Sequence, residues 1–338
     1  MESGQSQILQ RNAELFEQGS WLFLNPVEPQ IVEALDNPNI SAFYQYFDLF
    51  QTASSQQQKH FGAAATAYKG NAFDGAVVFL SKSKAHTQML IDNACAIVKQ
   101  GGTIAIVGSN DSGIKSLGKT LKKQFPSAQK YDSARHCAIW LVQNTEPRVF
   151  NLSEYEQVKT YQCAGMEWQV MSLPGVFSAD ALDPGSALLL ESVDSLNGQN
   201  ILDFACGAGV IGSFLNLKFP DCKISYSDIN ALALHACERT LALNGLSGDI
   251  KPSNGVKEWQ SQFSHVVTNP PFHTGKATDY AITETFIHDV SGVLEPKGQV
   301  TIVANRLLPY PDIISKVLNR LPDVARSNKF CVYHATKK

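Results

Sequence analysis

Two short stretches carry residue types able to do chemistry. Thr268-Asn269-Pro270-Pro271-Phe272 closes an apolar run, His265-Val266-Val267-Thr268, with an amide side chain and two prolines. Proline holds φ at about −65° and donates no hydrogen bond, so a tandem pair makes a stiff corner whose carbonyls are free to accept. Asn269 adds a side-chain carbonyl at the same place. A pair of acceptors suits an NH2 group held still while its nitrogen attacks something. The second stretch, Ile201-Leu202-Asp203-Phe204-Ala205-Cys206-Gly207-Ala208-Gly209, is an apolar strand running into a glycine-rich turn. Read together, they point to transfer of a methyl group onto an amine.

Residues 207–212 spell GxGxxG, a spacing that serves dinucleotides, other nucleosides and tight helix entries alike. It follows a strand expected over 200–204 and opens a helix, as a binding turn must. Asp228 lies about 20 residues beyond it, at the end of the next strand, where its carboxylate can accept from ribose hydroxyls. Its competing role is N-cap of a helix over 231–243. Asp203 separates the cofactors. A pyrophosphate wants donors and the positive end of a helix, and a carboxylate just before the turn opposes it. The same carboxylate suits the ammonium of a methionine moiety, which favours S-adenosylmethionine over NAD.

Other candidates have two readings each. Asn254, after a third expected strand, is either an adenine contact or a loop residue. Phe272 stacks on a flat substrate, as aromatics do on extruded bases, or packs inward. His273 is a phosphate or base contact, or a surface histidine. Cys206, inside the turn, is expected to be small and packed rather than a nucleophile. No Ser/His/Asp or Cys/His pairing has supporting context.

Strands alternating with helices must position these groups. Strands are expected over 76–80, 103–108 and 136–142, with helices over 87–100 and 113–125. The order returns as strands over 263–268, 299–304 and 330–335, with helices over 281–294 and 311–321. Residues 73–78 lie over 263–268, and 102–107 over 298–303, which implies two copies of one fold. Where the second copy has Asn269-Pro270-Pro271-Phe272, the first has Phe79-Leu80-Ser81-Lys82, and it lacks a matching glycine turn. The fold class expected is α/β, two tandem Rossmann-like domains with the first degenerate. The divisions are an N-terminal domain over 1–150, a polar linker over 151–165 and a catalytic domain over 166–338.

Composition agrees with that plan. A chain of 338 residues, 44% hydrophobic and 17% charged, can build two ordinary cores. No run of eighteen apolar residues would span a membrane, and residues 1–16 lack the pattern of a secretory signal. Seven scattered cysteines without a CxxC predict free thiols in a reducing cytoplasm and no zinc site. The net charge of −3 hides local asymmetry: residues 81–130 hold eight lysines against Asp92 and Asp111. Lys115, Lys119, Lys122, Lys123 and Lys130 lie near one expected helix. They make either an RNA-docking face or a merely soluble one.

ILDFACGAGVIG, Asp228, Asn254, TNPPFH and IVANRLLPYP together resemble the ribosomal RNA small subunit methyltransferase C family. SLPGVFSADALDPGSALLL resembles that family's lead-in to its cofactor site. The likeness covers the C-terminal half closely and the N-terminal half as architecture. It departs at Phe204-Ala205, where Val or Ile and Gly are common. The resemblance implies a duplicated class I methyltransferase fold with an inactive first copy. It further implies S-adenosylmethionine-dependent methylation of guanine N2 in 16S rRNA, on the RNA or the small subunit; separately from the resemblance, a monomer is expected. Carried over by position, Asp203, Cys206, Gly207, Gly209, Asp228 and Asn254 hold the cofactor, with Phe177 and Asp183 from the lead-in. Asn269 and the Pro270 carbonyl hold the amine, Pro271 completes the corner and Phe272 stacks on the ring. Rival readings keep methyl transfer with another acceptor: guanine N2 of large-subunit rRNA, adenine N6 or a protein glutamine amide. Others are an NAD-dependent dehydrogenase and a non-catalytic RNA-binding factor.

Overall fold

The computed structural model describes residues 2–66, 68, 72–146, 148–177, 181–196, 199–260, 262–270 and 277–338, with the side chains of 277–282 left aside. It divides into two compact units, Met1–Tyr155 and Glu156–Lys338.

The first unit contains strands β1 (Trp21–Leu24), β2 (Ile40–Tyr44), β3 (Gln58–Phe61), β4 (Phe73–Phe79), β5 (Val98–Ser109), β6 (Gln129–Ala134) and β7 (Cys137–Gln143). Helices α1 (Gly4–Arg11), α2 (Gln30–Glu33), α3 (Phe47–Thr52), α4 (Lys84–Ile97) and α5 (Ile114–Gln124) flank them. The sheet runs β3-β2-β1-β4-β5-β7-β6. Its first five strands are parallel and β7 and β6 antiparallel. One apolar layer lies on each face, for example Leu22, Leu24, Val78 and Ile106 on one side and Phe23, Val77 and Val107 on the other. Both faces are covered because the parallel strands are joined by helices.

The second unit begins with a hairpin, β8 (Gln157–Cys163) and β9 (Met166–Ser172), paired along its whole length. Strands β10 (Asn200–Phe204), β11 (Lys223–Asp228), β12 (Asp249–Pro252), β13 (Phe263–Thr268), β14 (Leu294–Asn305), β15 (Asn319–Arg320), β16 (Ala325–Arg326) and β17 (Phe330–Thr336) follow. Helices α6 (Pro184–Ser192), α7 (Val210–Lys218), α8 (Ala231–Leu243), α9 (Ala277–Val293) and α10 (Tyr310–Val317) pack around them. The sheet order, β12-β11-β10-β13-β14-β17-β15 with β16 on β17, repeats that of the first unit. In each, strand order reverses beside the first strand of the sheet, which opens the crevice where such sheets bind ligands.

The duplication extends to an irregularity. Phe73 pairs with Val98 and Gly75 with Thr103, so β5 carries extra residues at that point. Phe263 pairs with Leu294 and His265 with Gln299, the same shift at the same aligned position. Gly101 sits there at φ +79° in the first copy and Lys297 at φ +63° in the second.

One expected boundary is corrected. Residues 157–163 are a strand of the second unit, not part of a linker over 151–165, and the division falls at Tyr155. The alternation misleads because one face of this hairpin is polar and the other buried. Tyr161 and Trp168 pack edge to face at 5.8 Å, and Trp168 meets Phe214 of α7 at 5.1 Å. The N–H of Met171 donates to Thr240 Oγ1 of α8 at 2.9 Å, which fixes the hairpin on the unit. All seven cysteines are free and buried. No described helix is long and apolar enough to cross a membrane.

Candidate active site

The glycine turn sits where β10 leaves the sheet. Ala205, Gly207 and Gly209 all have positive φ, at +54°, +55° and +74°. Ala205 is thus a left-handed residue with a Cβ, which costs about 1 kcal/mol and explains why glycine suits that place. The glycines differ in purpose. A Cβ on Gly207 would meet nothing within 4 Å among the described residues, which leave the space beside its backbone open. A Cβ on Gly212 would lie 2.3 Å from the Tyr226 ring, and one on Gly209 2.7 Å from Cys237 Sγ. Those two let α7 approach the sheet and α8.

Two carboxylates flank the turn. Asp203 is fully buried; its Oδ2 accepts from the Gly212 N–H at 2.8 Å, while Oδ1 has no partner among the described residues. Burial pushes its carboxyl up to about 8. Asp228 Oδ2 accepts from the Gly207 N–H and Oδ1 from the Asn230 N–H, both at 2.9 Å. Burial raises this carboxyl too, against those hydrogen bonds. The helix-cap reading of Asp228 gives way here, because Asn230 caps α8 by accepting from Leu232 N–H. Cys206 is buried, with its thiol driven up by desolvation, and packs as expected of a structural residue. Asn254 is exposed just beyond β12, after Ser253, whose N–H donates to the Asp228 carbonyl at 3.1 Å.

The corner follows β13, the neighbour of β10. Buried Thr268 donates its hydroxyl to the Phe204 carbonyl at 2.8 Å, tying the two strand ends together. Asn269 Nδ2 donates to Asp183 Oδ2 at 2.8 Å and to Ser186 Oγ at 2.9 Å. An ionised carboxylate only accepts, so the amide nitrogen must face it and Oδ1 is the atom left to accept from elsewhere. Asp183 also caps α6, accepting from the Ser186 N–H at 2.9 Å. The expectation that it contacts the cofactor stands beside this, since the bonds described engage its Oδ2 alone. Pro270 is buried. Pro271, Phe272 and His273 lie outside the described residues. Phe177 stands 61% exposed in the lead-in.

The first unit shows what loss of such a site looks like. Register places Phe23 where Asp203 stands and Tyr44 where Asp228 stands, both fully buried. The turn after β1 reads Asn25-Pro26-Val27-Glu28-Pro29. Glu28 accepts from the Ser3 N–H at 2.8 Å and the Ser6 hydroxyl at 2.7 Å, so α1 closes over it. Lys115, Lys119, Lys122 and Lys123 are exposed on α5, whose buried face carries Gly118 against Trp140, and Lys130 is exposed on β6.

The methyltransferase small domain family matches residues 167–334, and its N-terminal domain counterpart matches residues 6–161. The chain is similar to the ribosomal RNA small subunit methyltransferase C of Pseudoalteromonas atlantica, at 41% identity over 98% of this chain and 99% of that one. The protein of the same name from Vibrio vulnificus is 36% identical, covering 98% of both. A T. thermophilus 16S rRNA N2 G1207 methyltransferase, solved with AdoMet and guanosine, shares the fold with a TM-score of 0.85 at 20% identity. That likeness covers 100% of this chain and 92% of the other.

Proposed function

The chain belongs to the ribosomal RNA small subunit methyltransferase C family, and from that premise we propose that it methylates N2 of a guanine in 16S rRNA with S-adenosylmethionine. It does so in the cytoplasm, as a monomer, with the second unit as the catalytic domain. The observation that carries this reading is the Asn269 amide, locked nitrogen-inward by Asp183 and Ser186 beside the turn of β10.

The residues fit the cofactor. The open space at Gly207 admits a ligand against backbone, and the unpartnered Asp203 Oδ1 suits an ammonium. Asp228 would take the ribose and Asn254 the adenine, while Cys206 and Gly209 shape the turn. When bound, S-adenosylmethionine supplies an electrophilic methyl on a sulfonium. The chain's own work is on the acceptor. The exocyclic nitrogen of guanine is a poor nucleophile because its lone pair is delocalised into the ring. Asn269 Oδ1 and the Pro270 carbonyl accept its two hydrogens, draw them out of plane and localise that pair. Pro271 stiffens the corner and Phe272 stacks on the ring, with Phe177 closing the lead-in side. Orientation supplies much of the remaining effect, and the spare proton leaves to water.

The direct test is transfer of labelled methyl from S-adenosylmethionine to unmodified small-subunit RNA, followed by nucleoside analysis. N2-methylguanosine is expected. Label in N6-methyladenosine or in protein would contradict the acceptor assigned here.

Asp183 is a positioning residue on this account. Asp183→Ala frees the amide to turn, and kcat should fall by about tenfold or more, with S-adenosylhomocysteine affinity nearly unchanged. Loss of affinity without loss of kcat would assign Asp183 to the cofactor.

RNA docking is assigned to the first unit, through the α5 lysines and Lys130. Changing Lys119, Lys122 and Lys123 to alanine should lower RNA affinity and flatten its log–log salt slope by about 2 to 3, leaving cofactor affinity alone. An unchanged slope would make them only a soluble face.

A further inference from the structure

The turn that follows β14 emerges beside the corner. Thr268 of β13 is opposite Ile302 of β14, so Asn305-Arg306-Leu307-Leu308-Pro309 leaves the sheet at the same edge as Asn269. It lies on the side away from the glycine turn, since the sheet order is β10-β13-β14. On that turn Leu307 is 92% exposed.

A lone exposed leucine usually needs no explanation. This one is held out by its surroundings. Its N–H donates to Asn305 Oδ1 at 3.0 Å, and Leu308 N–H donates to the Asn305 carbonyl at 3.1 Å. Arg306 N–H donates to the Lys329 carbonyl at 3.0 Å, and Tyr310 N–H to the Leu308 carbonyl at 2.9 Å. Leu308 packs on the core and Tyr310 is buried, so both sides of the tip are pinned.

Two exposed cations flank it. Arg306 is aimed by a hydrogen bond from Nη1 to the Ser327 carbonyl at 3.2 Å. Lys329 holds its ammonium over the Phe330 ring, 5.1 Å from the centroid. Phe330 in turn lies against Gly185, 3.2 Å from where a Cβ would stand, two residues from the Asp183 carboxylate that holds Asn269. Of the acids that follow in the chain, Asp312 is exposed in the first turn of α10 and Asp323 is engaged by Arg320 and Arg326. An apolar tip between cations, on the acceptor side of a site for a nucleobase, matches RNA better than an apolar protein face.

We propose that Leu307 is a wedge that enters the base stack as the target guanine turns out toward Asn269, with Arg306 and Lys329 on the flanking phosphates. This rests on the reading of the chain as a guanine methyltransferase. A base inside a stack cannot reach the corner, and extruding it costs a few kcal/mol. Apolar side chains that fill the vacated step offset that cost.

The test compares full-length wild type with Leu307→Ser and Leu307→Met on two substrates. One is folded, unmodified small-subunit RNA; the other is a short unstructured oligoribonucleotide carrying the same guanine. Leu307 touches solvent, so melting temperatures should coincide. Leu307→Ser should lose about tenfold or more in kcat/KM on the folded RNA and less than about twofold on the oligonucleotide, while Leu307→Met stays near wild type. With 2-aminopurine at the target position of the folded RNA, the fluorescence rise on binding should be smaller for Leu307→Ser. Equal activity of Leu307→Ser and wild type on folded RNA, or an equal loss on both substrates, would overturn the wedge. Wild type that makes no N2-methylguanosine on either substrate would instead overturn the function it rests on.

Discussion

Asn269→Ala should lose about a hundredfold or more in turnover, the scale set by removing one preorganised polar contact from a reacting group. Binding of S-adenosylhomocysteine should stay close to wild type. The split follows from geometry. Asn269 hydrogen-bonds to Asp183 and Ser186, and none of its described bonds reach the glycine turn. The strand end it sits on is held separately, by Thr268 on the Phe204 carbonyl. Alanine therefore removes the free Oδ1 without unfastening the corner. Asn269→Asp should be no better, because it sets a second carboxylate 2.8 Å from Asp183 Oδ2. Single-turnover kinetics beside calorimetry checks both parts. Unchanged turnover in Asn269→Ala would remove the amide from the mechanism.

Asp203→Asn should move affinity and stability in opposite directions. The wild-type carboxyl ordinarily titrates near 3.8, and burial lifts it to about 8. The folded protein therefore holds a proton between those values that the unfolded chain has released. Stability from this group is complete at low pH and declines as pH rises from about 4 toward 8. A neutral amide removes that slope, so ligand-free Asp203→Asn should be the more stable protein near pH 8, by on the order of a few kcal/mol. Cofactor binding should suffer, since an amide cannot offer Oδ1 as a charged acceptor; hydrogen bonds to charged groups contribute about 1.5–3 kcal/mol, or roughly tenfold to a hundredfold in Kd. Melting curves at about pH 5 and pH 8, with and without S-adenosylhomocysteine, read both effects. A variant that is less stable at the higher pH yet binds as tightly would show that Asp203 is a structural group.

Much of this site is legible in the sequence alone. The corner and the glycine turn stand out because each joins an apolar strand to residues a strand would not otherwise choose. The duplication was legible because 73–78 and 263–268 keep the same pattern, and the shared register shift beside Phe73 and Phe263 bears it out. What escaped depended on contacts distant in the chain. Asp183 reaches Asn269 across 86 residues, and a helix-capping aspartate carries no mark of a second partner. Strand β8 read as a linker because its outward residues are polar and its buried face needs the rest of the unit to be seen. The loss of chemistry in the first copy was visible at Phe79, but not at Phe23 and Tyr44. Their places are set by pairing of β1 with β2, and the first fifty residues show that pairing only weakly.

The claim at the centre is that the corner recognises an NH2 group through acceptors, and inosine, which differs from guanosine only in lacking that group, tests it. Affinities of the two nucleosides should be measured by calorimetry on protein saturated with S-adenosylhomocysteine. Guanosine should bind about tenfold or more tighter than inosine, as two hydrogen bonds at about 1 kcal/mol each predict, and Asn269→Ala should narrow that difference. Equal affinity for the two nucleosides in the wild-type protein would contradict the account.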